Sequence, residues 1–175
     1  MNETNYYKLE QPNEISISDR EDAMGSYLMM FGALAVGLPL PIINLIASVV
    51  YYVLNAKKSR FIKFHALQSM WSQLPTTLLN AGLIFWTFVK MIPELKENSN
   101  VDNFEFLTTD NLFWGYLISV LIANLLYVIF SIIGAIKARR GEMYYFIFFG
   151  KLAYHMAYKK RAEDQNHSNQ NLPPR

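Results

Sequence analysis

Residues 111–136 read NLFWGYLISVLIANLLYVIFSIIGAI and contain no Asp, Glu, Lys or Arg. A helix rising 1.5 Å per residue needs about twenty apolar residues to cross the ~30 Å hydrocarbon core of a bilayer. Residues 64–89, FHALQSMWSQLPTTLLNAGLIFWTFV, and the longer run 23–56 lack the same four residue types. A helix in water turns one face to solvent and seldom stays uncharged that far. The expected fold is therefore all-α, a polytopic membrane bundle.

The remaining sequence agrees in distribution. The chain is 52% hydrophobic, gathered into blocks, while its polar ends hold mean hydropathy to +0.10. A net charge of +2 is too small to argue for nucleic acid. Lys57, Lys58, Arg60 and Lys63 separate the first two apolar runs, and Lys137, Arg139 and Arg140 follow the third. Between residues 90 and 110 the balance reverses, with Glu94, Glu97, Asp102, Glu105 and Asp110 against Lys90 and Lys96. The positive-inside rule makes the basic clusters cytoplasmic anchors. Cysteine is absent, so disulfides and thiolate metal sites are excluded.

Residues 1–17 read as a disordered polar arm and 159–175 as a disordered polar tail, leaving 18–158 as the membrane domain. Ser18 and Glu21 fit a capping box that starts a helix. In Gly37-Leu38-Pro39-Leu40-Pro41, each proline removes a donor and pushes its predecessor out of helix. With Gly37, Pro39 and Pro41 as the break, the long run becomes two short helices, about 18–36 and 41–55; one sharply kinked span is the alternative. Two more spans are expected at about 64–92, ended by Pro93, and 112–138. Over 143–158, Tyr144, Lys151, His155 and Tyr158 share one side, and Tyr145, Phe149, Leu152, Ala153 and Met156 the other. That pattern suits a helix lying in the membrane interface, or else a short core-packing helix.

Within the third span, His65, Gln68, Ser69, Ser72, Gln73, Thr76 and Asn80 fall on one side of a helical wheel. Hydrogen-bonding groups in hydrocarbon need partners, so the stripe faces other helices or a wet groove. Asn124 and Tyr127 of the fourth span are placed to answer it, as are Asn44 and Ser48 of the second. Two readings stay open: interhelical hydrogen bonding, or a groove for a substrate or partner segment. His65 with Ser69 falls short of a hydrolase, because no acid is available to orient the imidazole. A capping or headgroup-contacting histidine is the better expectation. No metal site, cofactor, small-molecule substrate or catalytic residue is expected, and without a charge deep in a span a proton-coupled pump is disfavoured.

The segments Arg60-Phe61-Ile62-Lys63-Phe64-His65-Ala66-Leu67-Gln68-Ser69 and Ala138-Arg139-Arg140-Gly141-Glu142-Met143-Tyr144-Tyr145 resemble a known pattern. It is that of the Tic-twenty-type membrane family, named for a chloroplast inner-envelope import component, over roughly residues 27–154. Relatives commonly place a proline where this chain has Phe146 and Ile147. The resemblance implies four membrane helices with both termini on one side, and a setting beside a protein-translocation assembly. The resulting expectation is a non-enzymatic bacterial inner-membrane protein with both termini cytoplasmic. Its partners would be the lipid bilayer and other membrane proteins of a translocation or biogenesis complex. An oligomeric small-solute channel or carrier is the alternative.

Overall fold

The computed structural model describes residues 5–31, 41–97 and 110–160, and every regular element among them is helical. These are α1 (Ile17–Leu28), which runs into a 3-10 turn at Met29–Phe31, then α2 (Pro41–Asn55), α3 (Arg60–Glu97), α4 (Asn111–Arg139) and α5 (Phe149–Tyr158). The break residues Gly37 and Pro39, the loop acids Asp102 and Glu105, and the polar tail from 161 onward lie outside the described residues.

Several boundaries differ from expectation for local reasons. Ser16, not Ser18, caps α1, its Oγ accepting from the amide of Asp19 at 3.0 Å. α3 does not stop before Pro93. It continues through both Pro75 and Pro93, each costing one helical hydrogen bond rather than the helix. α4 ends in a Schellman motif: Gly141 adopts φ +75, its amide donates to Ala138 and that of Glu142 to Lys137, both at 2.9 Å. Residues 142–148 are therefore not helical, and α5 begins only at Phe149.

The start of α1 lies beside the end of α2. Tyr51 Oη donates to the Asp22 carbonyl at 2.7 Å, and Lys58 pairs with Asp22 at 2.7 Å. α1 and α2 thus form an antiparallel hairpin, not one kinked rod. Both pack on α3, and α1 also packs on α4. The alignment of Ser26 with Ser69 and of Ser48 with Gln73 places this hairpin against the first part of α3. Farther along, among the described residues, α3 pairs chiefly with α4, through Trp86 against Phe113 and Tyr116 and a 3.0 Å ion pair between Lys90 and Asp110.

Burial is concentrated where all the helices meet. One cluster joins Tyr27, Phe61, Ile62, Ala135, Ala138 and Phe146; a second joins Phe64 and Leu67 of α3 to Ala153, Ala157 and Tyr158 of α5. The chain before α1 is not a free arm over residues 5–16. The Tyr7 amide donates to Tyr158 and that of Lys160 to Asn5, both at 2.9 Å. Tyr6, Tyr154 and Tyr158 stack in sequence, and the Arg60 guanidinium sits 3.4 Å over the Tyr7 ring. Aromatic stacking and a cation–π contact thus offset the ordering entropy that polarity alone leaves unopposed.

Away from these clusters the surface is apolar: Leu78 and Phe85 are each 71% exposed, and Leu121 and Leu125 also face outward. Among the described residues α4 alone is both long and apolar enough to cross a membrane, and Ile42–Asn55 is apolar but shorter. On length and composition, one of the four expected spans stands.

Candidate functional site: a buried polar seam

The polar stripe of α3 is turned inward over most of its length. His65, Gln68, Ser69, Ser72 and Gln73 are buried, and Thr76 and Asn80 are partly so. The stripe does not converge on one centre. At 1.5 Å per residue, His65 and Asn80 stand about 22 Å apart along the helix, in three separate clusters.

In the first cluster Gln68 Nε2 donates to Tyr27 Oη at 2.8 Å, and Tyr27 Oη lies 2.9 Å from His65 Nδ1. The Tyr27 hydroxyl, with one proton and two lone pairs, thus bridges Gln68 and His65. His65 Nε2 is buried without a protein partner. The ring is enclosed by Phe61, Phe64 and Tyr27 at 4.5–5.6 Å between centroids. His65 therefore neither caps a helix nor meets a headgroup. Gln68 also donates to the Tyr144 carbonyl at 2.8 Å and accepts from the Phe146 amide at 3.2 Å. One side chain thereby pairs the backbone of the non-helical link between α4 and α5.

The second cluster lies deeper. Ser69 Oγ donates to the Ser26 carbonyl at 2.8 Å, and Gln73 Nε2 donates to Ser48 Oγ. Ser69, Ser72, Gln73 and Ser131 surround the Tyr127 hydroxyl. None is aligned for a hydrogen bond with it, and Tyr127 Oη, Gln73 Oε1 and Ser131 Oγ are all buried without a partner. In the third cluster Asn80 and Asn124 exchange amide hydrogen bonds, and Thr76 Oγ1 donates to the Gln73 carbonyl.

Beside the second cluster a cleft of about 310 Å³ opens between α3 and α4. Ser72, Pro75 and Thr76 line one wall, Ala123, Leu126 and Tyr127 the other, and residues 144–149 close one end. The charged anchors stay at the periphery. Lys58 pairs with Asp22, Arg139 with Glu21 at 2.5 Å, and Lys137 with Glu142 at 2.5 Å, while Lys57 and Arg140 are exposed and Lys63 is intermediate. Lys137 holds the Glu142 carboxyl below its ordinary value, and burial pushes the Tyr158 hydroxyl up. Among the described residues no three His, Asp or Glu side chains gather as a metal site.

The sequence reading did not single out Tyr27, the hydroxyl on which the first cluster turns. A signal was present in Gly134: a Cβ there would lie 2.8 Å from the Tyr27 ring, so the glycine makes room for a large side chain. The Tyr144 and Phe146 partners of Gln68 carried no signal, being backbone atoms almost eighty positions away.

Buried hydrogen-bonded amides inside and bare aliphatic side chains outside define a small helical bundle of the membrane-protein type. Residues 19–153 match the magnetosome magnetite crystal formation (MamF/MmsF) protein family, and the chain belongs to it. No curated protein and no solved structure matches the chain. The family assignment overturns the resemblance to the Tic-twenty-type family, whose protein-transport setting therefore does not apply. The motifs behind that resemblance have structural explanations here: Phe-His-x-x-Gln supplies the Gln68 network, and Arg-Arg-Gly-Glu is the α4 cap.

Proposed function

We propose that this chain is a multi-pass integral membrane protein with no catalytic activity of its own, acting as a structural component of the membrane compartment in which its family forms magnetite crystals. The observation that carries this reading is inverted polarity combined with family membership. Gln68, Ser69 and Gln73 are buried, whereas Leu78, Phe85, Leu121 and Leu125 are exposed. Water as the only solvent would leave these large apolar groups hydrated. Hydrocarbon removes that cost and strengthens the reason to bury the amides.

In this reading α3 and α4 cross the bilayer, and α1 and α2 enter and leave as a hairpin. The basic residues at the α2–α3 turn and the α4 end then share the cytoplasmic side with both termini. The bilayer, that of a bacterial inner membrane or an invagination of it, is the first partner, and neighbouring membrane proteins are the second. The channel alternative gains no support from the interior, where Asn80 with Asn124 and Gln73 with Ser48 occupy one another.

The test is complementation in a magnetosome-forming bacterium deleted for its own family members. The tagged full chain should stay in the magnetosome membrane pellet after alkaline carbonate extraction, and electron microscopy should show crystal size moving toward wild type. Release into the carbonate supernatant would overturn the membrane reading. Retention with unchanged crystals would overturn the crystal-formation reading.

A further inference from the structure

The cleft between α3 and α4 has a size, direction and position that select an occupant. The cleft has a volume of about 310 Å³ and presents mostly apolar surface, as a slender aliphatic chain requires. From Ser72 to Leu79 its α3 wall extends about 10 Å along the helix axis. It starts under residues 144–149 at the basic end and runs inward. Ala123 leaves space by its small side chain, and Pro75 lines the facing wall. Left empty, the walls would forfeit dispersion contacts on one side.

Charge identifies which amphiphile fits. The described residues at this end (5–22, 55–63 and 137–160) hold twelve Lys and Arg against six Asp and Glu. Lys151 is exposed and follows the lining residue Phe149 by two positions, and Ile147 and Phe148 at the cleft are each 80% exposed. Apolar side chains beside exposed lysine suit the interface of an anionic leaflet.

We propose that the cleft holds one acyl chain of an anionic phospholipid from the basic-side leaflet, its headgroup resting at the Lys151 end of the bundle. This rests on the membrane reading above. A chain entering there lies along the membrane normal, as acyl chains do, and covers the Pro75 and Ala123 walls. Free fatty acid shares the tail but not the diacyl headgroup, and mass separates the two.

The experiment uses the full chain purified from membranes in mild detergent, delipidated, and mixed with phosphatidylglycerol or phosphatidylcholine before native mass spectrometry. A one-lipid adduct is expected, with phosphatidylglycerol favoured roughly fivefold, the worth of one lysine near a membrane surface. Ala123→Trp fills the cleft and should remove the adduct, and the milder Ala123→Leu should reduce it severalfold. Lys151→Glu should keep the adduct but erase the headgroup preference. Adducts of equal strength in both Ala123 variants and the wild type, no adduct in the wild type, or no headgroup preference would each overturn the proposal. Carbonate extraction of the membranes before solubilisation reports separately on the membrane reading, so a chain that stays membrane-bound without an adduct refutes the cleft alone.

Discussion

The side-chain amides of Asn80 on α3 and Asn124 on α4 face each other and exchange hydrogen bonds. Asn80 Nδ2 stands 3.0 Å from Asn124 Oδ1, and Asn124 Nδ2 stands 3.2 Å from Asn80 Oδ1. Each nitrogen also donates backward within its own helix, to Thr76 at 2.6 Å and Val120 at 2.8 Å. The pair lies beyond the two buried clusters, along the stretch where α3 and α4 have chiefly each other. A slip of one residue in either helix would break both exchanged bonds, so the pair fixes helix register where nonspecific apolar packing would not.

Coupling between these amides is therefore expected. Asn80→Leu or Asn124→Leu should each lower stability by about 1–2 kcal/mol, since the surviving amide keeps polar groups without a cross-helix partner. The double replacement should cost less than the sum of the singles. Unfolding of the four proteins in mixed micelles, treated as a double-mutant cycle, measures this directly. Strict additivity would show that the amides do not support each other.

Gly134 and Gly115, both in α4, should respond oppositely to alanine. A Cβ at Gly134 would meet the Tyr27 ring at 2.8–3.1 Å, whereas nothing lies within 4 Å of one at Gly115. Gly134→Ala must displace Tyr27 from His65 and Gln68, with an expected loss of about 1–3 kcal/mol. Gly115→Ala should be neutral or stabilising by up to ~1 kcal/mol, through helix propensity alone. Thermal unfolding of the two variants separates a packing glycine from a tolerated one. Equal midpoints would refute the close Tyr27 contact.

How much of this was legible beforehand follows from the range of each signal. The uncharged blocks and the proline pair are local, and they located α2 to the residue and α4 to within one. The N-cap of α1 was displaced by two residues because Ser16 and Ser18 both suit the role, and only backbone geometry chooses between them. Pro93 read as a stop, yet the α3 backbone continues to Glu97. The side-chain stripe from His65 to Asn80 was visible from periodicity. Its division into three clusters was not, because Tyr27, Ser26 and the Tyr144 carbonyl come from distant chain segments. The aromatic contacts holding residues 5–16 were hidden for the same reason, since polarity is a local property and docking is not.

Gln68 gives a prediction about dynamics. Its amide is the side-chain partner of both the Tyr144 carbonyl and the Phe146 amide. Gln68→Leu keeps the volume and removes every one of these bonds. Hydrogen exchange at residues 144–148 should accelerate by tenfold or more, one lost bond of about 1.4 kcal/mol being a factor of ten. The Asn80–Asn124 region should keep its protection. Unchanged exchange across 144–148 would mean that packing of Phe146, not Gln68, orders the link.

Asp110 supplies the pH dependence. Its Oδ1 accepts from the amides of Leu112 and Phe113, both at 3.1 Å, and its Oδ2 lies 3.0 Å from Lys90 Nζ. One carboxylate thus caps α4 and ties it to α3. The hydrogen bond from Lys90, followed by that from the Phe113 amide, holds its folded pKa below the ordinary 3.8. A carboxyl depressed on folding contributes its stability above the unfolded value, and that contribution disappears as pH falls through the folded value. The far end of the α3–α4 pair should therefore loosen only below the ordinary carboxylate range. A carbon-13 titration of labelled aspartate should place the Asp110 midpoint under 3.8. Lys90→Met should move it upward, because the largest source of the depression is gone while the two backbone donors remain. A midpoint indifferent to Lys90 would assign the depression to the helix cap alone.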